Sequence, residues 1–129
     1  MITEDYVSLE TAKLLKEKGF DENCDRSYVG DDAEELSWSR GANNSYYKEF
    51  YKDISLYSAP RISFVMKWLR EVHDMYIKVS PYINDSYNFY CDVYTKGSES
   101  WDNQNVELGD FPTYEQAAEA AIKYCLNLI

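Results

Sequence analysis

Apolar residues recur along the chain at two spacings, which predict helices where the spacing is three to four and strands where it is two. A first helix is predicted from about Leu9 to Lys18, with Ser8 as its N-cap and Gly19 at its C-terminal end. A second is predicted from residue 60 to residue 74, with Ser58 as its N-cap. Apolar residues cover more than half of this helix, so we expect it to be covered from two sides. They are Ile62, Phe64, Val65, Met66, Trp68, Leu69, Val72 and Met75.

The clearest helical signal lies near the C-terminal end of the sequence. Thr113 and Gln116 have the spacing of a capping box, in which each side chain bonds to the backbone of the other residue. Apolar residues then follow at spacings of three and four, while Glu115, Glu119 and Lys123 lie on the opposite face. Because several residues of the apolar stripe are alanines, we expect this helix to lie close against a sheet.

Strict alternation of apolar and polar residues predicts strands between the second and third helices. Residues 75–80 and 87–95 both alternate, and the turn residues between them indicate an antiparallel hairpin. A third strand is predicted near residues 103–108. These strands and the flanking helices predict an α+β fold, in which helices pack on one face of a small antiparallel sheet.

The pattern is less regular before the second helix. Residues 27–29 and 35–39 flank the turn sequence Gly30-Asp31-Asp32, which predicts another hairpin. Residues 40–58 are ambiguous; we expect them to be mostly irregular, although their aromatic spacing would also suit a short helix. The predicted order is therefore helix, hairpin, helix, two to three strands, helix. The length of the chain predicts a single domain, residues 1–129.

Charge limits the classes of partner. The chain has 23 acidic and 13 basic residues and a formal net charge of -10, so its average surface repels nucleic-acid phosphate and anionic lipid. We therefore expect neither a nucleic acid nor a membrane as partner. Seven acids lie within residues 21–35 and six within residues 99–119, runs typical of solvated loops. The alternative is an acidic surface that mimics DNA and inhibits a nucleic-acid-binding host protein.

Groups suited to catalysis are scarce. His73 is the single histidine, which excludes metal sites built on two histidines. Cys24, Cys91 and Cys125 are widely spaced and lack a CxxC motif, so we expect free thiols, the last two in the core. The chain contains no glycine-rich phosphate-binding motif and no nucleophile elbow. We expect a non-enzymatic protein without a cofactor or metal; an enzyme with an unrecognised carboxylate site is the remaining alternative.

Aromatic residues are abundant, with 13 tyrosines, three tryptophans and five phenylalanines. Tyrosine combines an apolar ring with a hydroxyl and loses little conformational entropy when fixed, so it is enriched at protein interfaces. The outer sheet face, with a neighbouring loop, is therefore our candidate surface for binding another protein. The alternative is that the first 58 residues cover this face and bury its rings. The predicted surface consists of Tyr76, Lys78, Tyr90 and Tyr94 on the sheet and Trp101 in the loop.

The sequence also resembles a family of small uncharacterised proteins from gut anaerobic bacteria and their phages. The resemblance lies in VSLETAKLLKEKGFDENC, YSAPRISFVMKWLREVHDMYIKV and TYEQAAEAAIKYCLNLI. That family has Y-x-A-P-T before K-W-L-R-E, and Arg61 stands here where threonine is usual. The resemblance implies a bacterial or phage protein of the cytoplasm. It implies no activity, so no functional residue is transferred. The first residues, MITEDYVSLE, contain no apolar run and also predict a cytoplasmic location.

Trp68 tests whether the second helix is a core element. We expect Trp68→Ala to lower the free energy of unfolding by about 3–5 kcal/mol, the range for deleting a large buried ring. Chemical denaturation followed by circular dichroism measures this difference. A decrease well below about 1 kcal/mol would mean that the ring is exposed and that the segment is a recognition element.

Overall fold

A computed structural model describes residues 2, 5–83, 87–97, 99–104 and 109–129. Within these residues it has four helices and two three-stranded antiparallel sheets. The predicted α+β class is therefore confirmed, although the strands form two sheets where one was expected. The chain divides into two compact units, Met1–Arg61 and Ile62–Ile129. The expectation of a single domain stays a prediction.

The elements follow the predicted order, with one helix and one strand added before the second predicted helix. The first unit contains α1 (Leu9–Glu17), β1 (Cys24–Val29), β2 (Ser37–Ala42), α2 (Asn44–Phe50) and β3 (Leu56–Ser58). The second unit contains α3 (Ile62–His73), β4 (Met75–Pro81), β5 (Phe89–Lys96), β6 (Trp101–Gln104) and α4 (Tyr114–Leu128).

The helix α1 begins and ends where its local signals predict. The Ser8 hydroxyl oxygen accepts a hydrogen bond from the N–H of Thr11 at 3.3 Å, as expected of an N-cap. Gly19 has a φ of 89°, a left-handed conformation that glycine adopts without steric strain. The chain then turns back, so that the N–H of Phe20 donates to the carbonyl of Leu15 at 2.9 Å. Both of these side chains are buried.

The sheet of the first unit has the strand order β2–β1–β3. The antiparallel pair of β1 and β2 confirms the predicted N-terminal hairpin, and β3 pairs antiparallel with the other edge of β1. Both α1 and α2 contact β3. Residues 40–58 are thus not mostly irregular, because they contain α2 and β3; the short helix was the correct alternative.

A buried amide connects residues 40–58 to the rest of the first unit. Asn44, which is 6% exposed, donates a hydrogen bond to the carbonyl of Phe20 at 2.8 Å and accepts one from the N–H of Ser58 at 3.1 Å. These partners lie after α1 and at the end of β3, so one side chain joins three elements. It also satisfies two backbone groups that would otherwise be costly to bury.

The prediction that Ser58 caps the second helix is wrong. Ser58 is fully buried at the end of β3, and its N–H donates a hydrogen bond to the side-chain oxygen of Asn44. The next residue, Ala59, donates its N–H to the carbonyl of Arg26 at 3.0 Å, so the extended backbone continues past β3. The helix α3 begins only at Ile62.

The second sheet has the order β4–β5–β6 and is antiparallel throughout. The β4–β5 pair confirms the predicted hairpin, with Met75 opposite Thr95 at one end and Pro81 opposite Phe89 at the other. The predicted third strand is present as β6, but it begins earlier than expected. Trp101, which we placed in a loop, is therefore the first residue of a strand. Residues 105–108 of that prediction lie outside the described residues.

The helices of the second unit cover the inner face of its sheet. α4 contacts β4, β5 and α3, and α3 also contacts β4. The buried strand residues Ile77, Cys91 and Val93 alternate with outward-facing residues, as predicted. The Thr113 hydroxyl accepts a hydrogen bond from the N–H of Gln116 at 3.1 Å, which confirms the predicted N-cap of α4.

The buried face of α3 is narrower than predicted. Its buried residues are Ile62, Val65, Trp68 and Leu69, so Trp68 is a core residue as expected. In contrast, Phe64 and Val72 are 41% and 56% exposed, and the prediction that the apolar face is covered from two sides is wrong at these positions.

Asn44 and its neighbour Asn43 allow a matched test of the buried amide. Asn44→Ala leaves the Phe20 carbonyl and the Ser58 N–H without their partners, so we expect a loss of about 2–4 kcal/mol in the free energy of unfolding. Asn43→Ala removes only the N-cap of α2 and should cost about 1 kcal/mol. Urea denaturation of both variants measures the difference. Equal losses would show that the buried amide has no special role.

Candidate functional site

The five residues predicted for partner binding lie on one face of the second sheet. Tyr76 lies opposite Tyr94, and Lys78 and Tyr90 follow on the same two strands at spacings of two and four residues. Trp101 lies opposite Lys96, two residues from Tyr94, and therefore on the same side of the sheet. We call this surface the aromatic face; it consists of Tyr76, Lys78, Tyr90, Tyr94 and Trp101.

Ring contacts hold the centre of the aromatic face. The ring centroid of Tyr76 lies 6.4 Å from that of Tyr94 and 6.3 Å from that of Trp101, with interplanar angles of 62° and 64°. Such tilted, edge-directed pairs are favourable and restrict the rings. Tyr76 and Trp101 are 44% and 49% exposed, while Tyr90 and Tyr94 are half-buried. The alternative, in which the first 58 residues cover this face, stays a hypothesis.

Three basic side chains lie near these rings. The guanidinium of Arg70 lies 5.9 Å from the ring centroid of Tyr76, within the range of a cation–π contact. Lys78 and Lys96 are exposed on the same side of the sheet, and Asp92 lies opposite Lys78. An acidic chain therefore presents a locally basic, aromatic surface.

The first unit contains a second candidate region, which the sequence reasoning missed. A cavity of about 510 Å³ beside α2 adjoins another of about 700 Å³, and both are lined by Tyr47, Tyr51 and Ile54. We call them the lysine cavity and the aromatic cavity. The smaller one is lined by Lys16, Lys48 and Lys52 together with Asp53. The sequence contained one signal for this region, the Tyr-Lys pair that occurs at residues 47–48 and again at residues 51–52.

No acidic or basic residue lines the aromatic cavity among the described residues. Its walls include Trp38, Tyr46 and Leu56 in addition to the shared residues. Trp38 is 76% exposed, but the Arg26 guanidinium stacks on its ring at 3.0 Å from the centroid. The cavity is therefore a neutral, aromatic groove directly beside a basic one.

A polar network fastens the turn between β1 and β2 to neighbouring elements. Tyr57 and Ser55 donate hydrogen bonds to the Asp31 carboxylate, and the Lys13 ammonium donates to the Asp31 carbonyl at 2.7 Å. The bond from Tyr57, with a smaller effect of nearby lysines, lowers the pKa of Asp31, and the same bond raises the pKa of Tyr57. This exposed network has a structural role.

Several acids of the run at residues 21–35 are engaged in the fold. Asp21 accepts hydrogen bonds from the N–H and hydroxyl of Ser45, and Asp25 pairs with Arg61 at 3.4 Å. With Asp31, three of the seven acids therefore have local structural partners. This arrangement favours a structural role for these three acids over a surface of free carboxylates.

The thiols and the histidine do not form a reactive centre. Cys24, Cys91 and Cys125 are free and buried. Mainly because of this burial, the pKa of Cys24 and that of Cys125 are raised to about 12, and the pKa of Cys91 is also raised. Cys24 lies at the start of β1 and is buried as well, although only Cys91 and Cys125 were expected in the core. His73 ends α3, with its ring centroid 4.7 Å from that of Trp68. Among the described residues, no cluster of three metal-ligating side chains is found.

Comparisons of the chain with protein-family models, with curated proteins and with solved structures found no match. Within the described part of the chain, every helix is too short or too polar to cross a membrane. The function must therefore be inferred from the surfaces themselves.

The buried thiols predict a slow reaction with alkylating reagents. Because a raised pKa leaves little thiolate at pH 8, native protein at this pH should react with iodoacetamide at least about 100-fold more slowly than protein unfolded in guanidinium. Mass spectrometry of quenched samples measures the labelling of each cysteine. Rapid native labelling of Cys24, Cys91 or Cys125 would contradict the structural role.

Proposed function

We propose that the protein works by binding another protein and that the aromatic face is its contact surface. The main support is that Tyr76 and Trp101 are exposed on the sheet face that α3 and α4 leave uncovered in the second unit. Tyrosine, tryptophan and arginine are the residues that most often dominate binding energy at protein interfaces. Since ring contacts already restrict Tyr76 and Trp101, their ordering costs little on binding.

Charge indicates the kind of partner. Arg70, Lys78 and Lys96 border the rings, so a partner surface that combines apolar and acidic side chains is complementary to this face. Exposed aromatic rings with basic neighbours can also stack single-stranded nucleic acid. That class is disfavoured because nucleic-acid binding depends on neutralising many phosphates, whereas this chain has a net charge of -10.

The setting we propose is the cytoplasm of a bacterium or of a phage-infected cell, which rests on the sequence resemblance. The second sequence hypothesis, an acidic DNA mimic, has less support. Asp21, Asp25 and Asp31 are held by partners within the fold, which suits a structural role better than a row of free acids.

Matched aromatic substitutions test the proposed surface. The tagged full chain is used to capture a partner from a bacterial lysate, and the affinity for that partner is then measured by calorimetry. We expect Tyr76→Ala and Trp101→Ala each to weaken binding by about 2 kcal/mol, which is about 30-fold. Tyr87→Ala is the control, because Tyr87 is 95% exposed and lies outside the aromatic face; it should change the affinity less than twofold.

Charge reversal provides a second arm of this experiment. Lys78→Glu should weaken the complex, and its effect should shrink as the salt concentration rises, whereas Lys67→Glu on α3 should leave binding unchanged. Unaltered binding by all face variants would exclude this surface. Recovery of a nuclease-sensitive ligand, or of no partner, would overturn the protein-binding proposal.

A further inference from the structure

We propose that the lysine cavity and the aromatic cavity together bind a free, small organic anion that has a phosphate or carboxylate head and an apolar body. The head would lie against the lysines, and the body would occupy the neutral aromatic groove. Because both cavities are lined by Tyr47, Tyr51 and Ile54, one molecule can extend from one into the other. Their volumes of about 510 and 700 Å³ are typical of pockets for such ligands.

The lysine cavity has the charge that an anionic head requires. Three lysines and one aspartate line it, so it is locally positive in a chain with 23 acids and 13 bases. Lys16 donates to the carbonyl of Leu56 at 2.9 Å, which fixes its ammonium near the cavity. Lys48 and Lys52 are exposed, and neither has an ion pair or hydrogen bond with another described residue. A bound anion would be attracted to these ammonium groups.

The hydroxyl of Tyr47 is the second, independent argument. Tyr47 is 5% exposed, and its buried hydroxyl oxygen has no hydrogen-bond partner among the described residues. Buried polar groups are almost always paired, because an unpaired one loses its bonds to water without replacement. Tyr47 forms part of the wall of both cavities, but its hydroxyl is closed to solvent in the ligand-free protein. We therefore infer that its ring shifts when a ligand binds, so that a ligand oxygen becomes the missing acceptor.

The apolar groove sets the other half of the ligand. Trp38, Tyr51 and Ile54 are 76%, 45% and 49% exposed, so apolar and aromatic surface is open to solvent along the aromatic cavity. An apolar body that covers this surface gains hydrophobic free energy in proportion to the area buried. Inorganic anions lack such a body and can use the lysine cavity alone.

This site is independent of the proposed protein contact. All of its residues belong to the first unit, whereas every residue of the aromatic face belongs to the second. Failure of one proposal therefore leaves the other standing, and the two sets of variants share only the control position Lys67.

Three probes separate the head from the body. Phenyl phosphate contains both parts, inorganic phosphate only the head, and phenol only the body; each is titrated into the full chain and followed by NMR chemical shifts. We expect phenyl phosphate to bind about tenfold more tightly than inorganic phosphate, because its ring buries apolar surface. Phenol should bind most weakly. Equal affinity for phenyl phosphate and inorganic phosphate would overturn the two-part site, as would no binding of any probe.

Matched lysine variants locate the head. Lys48→Gln and Lys52→Gln should each lower the affinity for phenyl phosphate by about fivefold to tenfold, since each removes a charged donor. Lys67→Gln makes the same change in charge on α3 and should leave the affinity unchanged. Equal losses in all three variants would show a non-specific charge effect and would overturn the site.

Tyr47→Phe distinguishes a ligand-binding hydroxyl from a structural one. The substitution removes only the unpaired hydroxyl, so the melting temperature of the ligand-free protein should stay the same or rise. The affinity for phenyl phosphate should nevertheless fall severalfold, because the anion loses a donor. A fall in melting temperature with unchanged affinity would overturn the role of Tyr47.

Discussion

The first unit depends on the hydrogen bonds of one side chain, the buried amide of Asn44. It reaches the carbonyl of Phe20 and the N–H of Ser58, and thereby fixes where α2 lies against α1 and β3. An amide suits this position because it supplies both a donor and an acceptor without a charge. The walls of both cavities follow from it, since Tyr47, Lys48 and Tyr51 are carried by α2 and the residue that follows it.

The second unit is governed by alternation along its strands. α3 passes into β4 through Asp74, whose φ of 53° allows an abrupt change of direction. Arg70 on α3 can therefore lie near the ring of Tyr76 on β4. Because side chains alternate, the same strands bury Ile77 and Val93 against the helices and present the tyrosines on the other side. A packed inner face and an aromatic outer face are thus two results of one pattern.

The sequence predicted elements whose signals are local, and it was wrong where a distant residue decides. The caps at Ser8 and Thr113 each involve a backbone group three residues away, and both are present. Ser58 had the composition of a cap, but its N–H is bonded to Asn44, fourteen residues earlier. For α3, periodicity identified the apolar side chains, but it did not show which of them would be buried and which would stay exposed. The lysine cavity was missed because Lys16, on α1, comes near Lys48 and Lys52 only in the folded chain; the two Tyr-Lys pairs alone did not indicate a cavity.

The bond between Tyr57 and Asp31 also sets the pH range over which the turn between β1 and β2 stays fastened. The bond requires an ionised carboxylate and a protonated phenol. The two pKa shifts widen the pH range in which both are present, because the pKa of Asp31 lies below its ordinary value of 3.8 and the pKa of Tyr57 lies above its ordinary value of 10.0. The contribution from Asp31 is therefore complete above its unfolded pKa and is lost only as the pH falls through the lowered folded value. Alkaline conditions break the bond only above the ordinary phenol pKa. Between pH 3.8 and pH 10.0, this joint between turn and strand is therefore insensitive to acidity.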